Sequence, residues 1–376
     1  MLLPRLVAVR MRSAGFSRGF RCLYFLRQCD TTLLLKRCEI SMPRIQRINA
    51  DAAKGAGDGR DGCVLSKLVI CYLFLGGAGA GALTLLSCAE GVRAWGVISR
   101  TSRGISYELC MAPRELLTRS WTICVVFLLL GAVCLAIDLG RLGDVWKLFL
   151  HARLTPLAVG AYSLVVALAC ATTLAIASAF DNLGRSRRTL LILAATGMLS
   201  GMVTMVYTGV LLQGMVSVAA WQTPLLPMLF LLSSLSCGAA MVLGSAAFVE
   251  ARRPFLSLVA ALLRFDGVVI VLETVVLAAF VVTCLANGPS TVGGWELISG
   301  SLAACFWCGL VGVGLLLPFV LERLVSYASH RAQLVWIAVS ILIGGFMVRW
   351  CVAGLADFDP VRAYAVMSYV SPVGVF

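Results

Sequence analysis

Residues Tyr72-Leu-Phe-Leu-Gly-Gly-Ala-Gly-Ala-Gly-Ala82 open an apolar run of roughly 20 residues, the length that crosses a bilayer as a helix. Glycines at 76, 77, 79 and 81 strip one face of that helix of side chains. In water each would cost about 1 kcal/mol of helix stability relative to alanine. In lipid, the bare face lets a neighbouring backbone or a flat ligand come close. The residue types fit either use.

Working outward, the 376 residues are 60% hydrophobic and only 13% charged, the composition of an integral membrane protein. Apolar spans fall at about 67–90, 119–138, 155–180, 189–213, 224–249, 266–287, 296–320 and 334–356. The expected fold is all-α: eight transmembrane helices, arranged as two four-helix bundles, with both ends on the same side. A basic tail (1–62), a membrane domain (63–358) and a short C-terminal tail (359–376) divide the chain. Loops are short, so any site has to be built from the helices and their rims.

Arginines orient the bundle. Segments joining spans 1–2, 3–4, 5–6 and 7–8 carry thirteen basic residues, among them Arg93, Arg119, Arg187, Arg264 and Arg323. The opposite face, leaving aside the tail, has five: Lys67, Arg141, Lys147, Arg153 and Arg362. The arginine-rich end is therefore expected in the cytoplasm and both bundle ends outside. A net charge of +13 is explained by basic rims facing anionic lipid, without a nucleic-acid partner.

Of fifteen cysteines, ten lie inside apolar spans, where cysteine behaves as a small hydrophobe. The pair Cys305-Phe-Trp-Cys308 has no second pair to complete a cluster motif, so no iron–sulfur centre is expected in this chain. His151 and His330, the two histidines, fall in loops on opposite sides, which argues against bis-histidine haem. All four lysines lie outside the span interiors, which argues against a retinal Schiff base.

A charge at the centre of a membrane helix costs about 2.5–3.5 kcal/mol, so the few inside the spans need a reason. Arg349 stands in span 8, Glu273 inside span 6, and Asp266 at the start of span 6. Tyr72 and Tyr207 lie at matching depths in spans 1 and 4. With Asp138, Arg141 and Trp221 they gather toward the outer leaflet. A phenol beside a glycine-lined wall suits an aromatic diketone such as a quinone, whose carbonyls accept hydrogen bonds. A snorkelling arginine, a structural carboxyl and interfacial tyrosines fit the same residues.

The segments that carry these groups resemble, in order, the polysulfide reductase membrane-subunit (NrfD-like) family. They are Tyr72-Leu-Phe-Leu-Gly-Gly-Ala-Gly-Ala-Gly81, Asp138-Leu-Gly-Arg141, Tyr207-Thr-Gly209, Trp221 with Pro224-Leu-Leu-Pro227, and Gly344-Gly345 with Arg349. Leu142 and Tyr162 depart from the family's usual proline and tryptophan. The resemblance implies a haem-free, quinone-reactive anchor, with menaquinone as the quinone, in a bacterial cytoplasmic membrane. It implies two partners: a ferredoxin-like subunit with four iron–sulfur clusters, and a molybdopterin catalytic subunit. On that reading Tyr207 donates to a quinone oxygen, Tyr72 supports it, and Asp138 with Arg141 braces the rim or contacts the iron–sulfur subunit, Asp138 alternatively accepting protons. Gly76, Gly77, Gly79 and Gly81 form the wall, Arg141 and Trp221 shape the rim, and Asp266, Glu273 and Arg349 mark a proton route. The alternative is an ion or small-solute carrier using Asp266, Glu273 and Arg349, which broken, paired helices would favour. No such break is apparent from the sequence.

The tail holds twelve basic residues and no apolar core of signal-peptide length, so its export would be resisted. Translation is therefore expected to begin at Met42. Intact-mass measurement checks this, with a mass corresponding to a Met42 start as the expected result. A recovered peptide from residues 1–36 would defeat the expectation.

Overall fold

A computed structural model describes residues 67–98, 114–138, 156–180, 186–214, 218–249, 253–286, 290–324 and 331–358. The tail with Met42, Arg141, both histidines and residues 359–376 lie outside the described residues. Helices run α1 Lys67–Ile98, α2 Arg114–Asp138, α3 Pro156–Ala179, α4 Arg187–Gln213, α5 Leu225–Ala246, α6 Arg253–Ala286 and α7 Thr291–Ser299. A π-helix, Cys305–Leu316, continues directly as α8 Leu317–Leu324, and α9 is Arg331–Gly354. There is no strand among the described residues, and eight segments are long and apolar enough to span a membrane.

The helices α1 to α4 form one ring of neighbours, and α5, α6, the π-helix with α8, and α9 form another. The rings meet along α1, α4 and α5, and α9 also touches α1. α1 is buried along most of its length, whereas α2, α4 and α6 show large apolar side chains outward, including Leu129, Ile192, Leu199, Val268, Val275 and Val282. On α6, Asp266, Glu273 and Phe280 recur every seven residues and are buried. Seven residues are nearly two full turns, so one face carries the acids inward while the valines meet lipid.

Two crossings depend on missing side chains. A Cβ at Gly81 would strike the Ser234 carbonyl of α5, and one at Gly238 of α5 would strike Gly81 in return. Gly314 of the π-helix and Gly344 of α9 meet in the same reciprocal way. Backbones in such contact gain dispersion and exclude lipid, which is how helices associate where water supplies no driving force.

Two expectations need correction. α6 begins at Arg253, so Asp266 lies in the helix interior and not at its start. The seventh span is broken: α7 stops at Gly300, whose extended ψ of −150° cannot continue a helix, and Ser301 N–H donates to Glu296 Oε2 at 3.0 Å. The chain then resumes as a twelve-residue π-helix containing Gly309, Gly312 and Gly314. Glycine tolerates the wider bore, and a run of apolar residues hides it from a hydropathy reading.

Leucine at position 81 should overpack the α1–α5 crossing by about 1–3 kcal/mol or more. Gly81→Leu is therefore expected to lower the melting temperature and yield of detergent-solubilised protein. Gly76→Ala, whose new Cβ meets nothing within 4 Å, should leave both unchanged.

Candidate functional site

Arg349 is 1% exposed, and its guanidinium bonds to three helices. Its Nε donates to the Leu73 carbonyl of α1 at 3.2 Å, and its Nη2 donates to Ser234 Oγ of α5 at 2.8 Å. Nη1 donates to Ser233 Oγ at 3.2 Å and to the Gly345 carbonyl at 2.6 Å. The charge also lies 5.8 Å from the Phe74 ring centre and 5.3 Å from that of Phe230. Four hydrogen bonds and two ring faces replace the water this charge gave up.

The Ser233 hydroxyl also reaches the carboxyl of Glu273. The Ser236 hydroxyl, one turn further along α5, donates to Asp266 Oδ1 at 2.8 Å. Cys237 lies within electrostatic reach of Arg349, Glu273 and Asp266 alike. The segment Ser233-Ser-Leu-Ser-Cys237 therefore forms a polar ladder between the acids of α6 and the arginine of α9. Asp266 in turn faces Glu322 of α8, carboxyl to carboxyl. Sequence reading brought forward Asp266, Glu273 and Arg349 but missed Glu322 and the serines. Three serines in five residues at the middle of an apolar span were the available signal.

At the Gln213 end of the first ring, Tyr72 and Tyr207 are both buried, and Tyr72 is within electrostatic reach of Tyr207 and Asp138. Asp138 is the last residue of α2 and is exposed. Gly160 of α3 lies flat under the Tyr207 ring, which a side chain there would displace. Gly76, one turn along α1 from Tyr72, faces open space where its Cβ would stand.

The other three glycines of the Gly76–Gly81 stretch do not line a ligand wall. A Cβ at Gly77 would meet Ser234 Oγ and Arg349 Nη2 at 2.8 and 2.9 Å, one at Gly79 would meet Leu128 at 2.9 Å, and Gly81 packs on Ser234. Helix packing accounts for all three. Trp221 is fully buried in the core, with its Nε1 donating to the Val352 carbonyl at 2.9 Å, so it braces the α4–α5 connection against α9.

Fold and sites together define a multi-pass helical membrane protein that buries Asp266, Glu273 and Arg349 inside its own bundle. The family model described as "Polysulphide reductase, NrfD" matches residues 60–355, and the chain belongs to that family. It is 34% identical over 146 residues to the C chain of polysulfide reductase from Wolinella succinogenes, across 38% of this chain and 45% of that protein. It is 30% identical over 146 residues to protein NrfD of Escherichia coli K12, across 38% and 46%. To an NrfD homolog of Haemophilus influenzae it is 27% identical over 153 residues, across 38% and 46%. The chain thus spans less than half the length of the curated relatives it matches. The family resemblance drawn from the motifs and the eight-span, all-helical fold are both borne out.

Removing the guanidinium strands Ser233, Ser234 and Glu273 without their cation, a loss of about 3–5 kcal/mol for a broken buried charge network. Arg349→Leu should therefore lose most folded protein. Arg349→Lys, a single ammonium that cannot fork to α1, α5 and α9 at once, should fold with a lowered melting temperature in detergent.

Proposed function

We propose that this chain is the haem-free, quinone-reactive membrane subunit of an oxidoreductase complex in a bacterial cytoplasmic membrane. The carrying observation is the meeting of Tyr72, Tyr207 and Asp138 at one end of the first ring, beside the open space at Gly76. An aromatic diketone fits such a place: it needs a flat slot, a hydrogen-bond donor for a carbonyl and a nearby proton acceptor. A bound quinone exchanges two electrons and two protons with its surroundings.

Residues of this protein supply position and protons. Tyr207, its ring held on Gly160, presents a phenol O–H to one carbonyl oxygen, and Tyr72 backs it from α1. Asp138, exposed at the end of α2, exchanges protons with water at the rim. The arginine-poor end, where these three residues lie, faces outside by the positive-inside rule. Electrons pass to a ferredoxin-like four-cluster iron–sulfur subunit docked on the rim after α2 and α4, and from there to or from a molybdopterin subunit. The name of the Wolinella relative, one lettered chain of polysulfide reductase, supports a multi-subunit setting. Menaquinone is the quinone this reading takes. Glu273, with Asp266 and Arg349, forms a proton route through the second ring.

The broken seventh span is what a solute-carrier reading would seek. Its break packs against α9, where Gly354 meets Leu302. It is also unpaired among the described residues, whereas carrier sites use two discontinuous helices beside the bound ion. The observation therefore does not favour the carrier.

Tyr207→Phe tests the reading. Loss of one hydrogen bond to a bound carbonyl costs about 1–3 kcal/mol, so quinol-linked turnover at limiting quinone should fall while the complex still assembles. Unchanged turnover would remove Tyr207 from the site.

A further inference from the structure

Asp266 is 0% exposed and, although Ser236 occupies its Oδ1, its Oδ2 has no hydrogen-bond donor. The same holds for Oε1 of Glu322. These two carboxyls face one another, and Glu322 is close enough to α6 that a Cβ on Gly267 would stand 3.0 Å from its Oε2. Two ionised carboxylates in contact, out of water, repel strongly, and each lacks a donor that the other could provide only by carrying a proton.

Beside the pair opens a cleft of about 610 Å³ lined by Leu263, Arg264, Gly267, Val271, Glu322 and Arg323. Arg264 and Arg323 are exposed at the cleft, the Arg323 guanidinium is stacked over Phe319 at 5.0 Å, and its charge also acts on Glu322. Groups facing the pair are therefore Arg264 and Glu273 from α6, Arg323 from α8, Ser236 and Cys237 from α5, and more distantly Arg349 from α9. Among the described residues, no basic side chain forms an ion pair with either carboxyl, and Arg323 acts on Glu322 only through its field.

We propose that Asp266 and Glu322 form a carboxyl pair that holds one exchangeable proton, loaded from the arginine-rich aqueous side through this cleft. The pair is the entry of the proton route proposed above for Glu273, and it rests on that reading. Each turn is balanced. Glu322 takes a proton from the aqueous side, forming an O–H bond there, as the O–H of Asp266 breaks; the Glu322 proton then crosses the contact to Asp266, its O–H breaking as the Asp266 O–H re-forms, which restores the starting pair. The released proton goes on toward Glu273, seven residues and about 10 Å further along the same face of α6. Glu273 stands at the Ser233 hydroxyl, and Ser233 bridges to Arg349.

Labelling of the intact, membrane-embedded complex with dicyclohexylcarbodiimide, mapped by peptide mass spectrometry, reads the proton directly, because this reagent attacks protonated carboxyls in apolar sites. Glu322 or Asp266 should be modified, with the rate falling about tenfold per pH unit once the pair ionises, and sodium should not protect. Absence of labelling at both residues, or labelling that sodium suppresses, overturns the proposal, the latter in favour of a metal-cation site. Proteoliposomes then place the pair on the route. Glu322→Gln and Glu273→Gln should lower the proton-to-electron ratio equally while quinol oxidation continues. If Glu273→Gln lowers the ratio and neither Glu322→Gln nor Asp266→Asn does, the route stands and its entry lies elsewhere. If Glu273→Gln leaves the ratio intact, the route itself is wrong, whatever the labelling gives.

Discussion

One guanidinium holds the two rings together. Arg349 reaches α1, α5 and its own helix from a guanidinium that is 1% exposed. An unpaired cation at that depth could not persist, so the small residues around it are as necessary as the arginine. Gly77 and Gly345 leave the room that the side chain fills, and Ser233 and Ser234 present hydroxyls where larger residues would have excluded it. The close α1–α5 crossing and the arginine are thus one arrangement, each requiring the other.

That arrangement sets the spacing of both candidate sites. Leu73, the residue whose carbonyl Arg349 holds, follows Tyr72 directly, so the turn of α1 that carries the phenol is pinned from the second ring. On the other side, Ser233 joins the arginine to Glu273. A phenol in one ring and a carboxyl in the other are separated by a few polar groups, and both depend on the height at which α1 sits.

Much of this was legible in the sequence. Hydropathy length gave the eight spans, because a bilayer demands long apolar helices and little else does. Tyr72, Tyr207, Glu273 and Arg349 stood out for the same reason: polar groups are conspicuous where they are expensive. What stayed hidden was pairing. Nothing in a single sequence tells whether Gly79 faces a ligand or Leu128, or that Glu322 turns inward to meet Asp266. The break at Gly300 and the π-helix after it were masked because hydropathy scores residues and is blind to which carbonyl each amide chooses.

The bond from Arg349 to the Leu73 carbonyl joins positions 276 residues apart. During synthesis α1 is the earliest of the described spans to be made, and α9 is the latest. The glycine-bare face of α1 can meet α5 once that helix is inserted, but its contact with α9 stays unmade until almost the whole membrane domain has been inserted. A polypeptide interrupted between α5 and α9 would keep two serines on α5 with no cation to hold. Closure of the fold thus reports that translation through the membrane domain is complete, and a partner that recognises the Tyr72 end of the bundle would meet its finished shape only after the arginine has arrived.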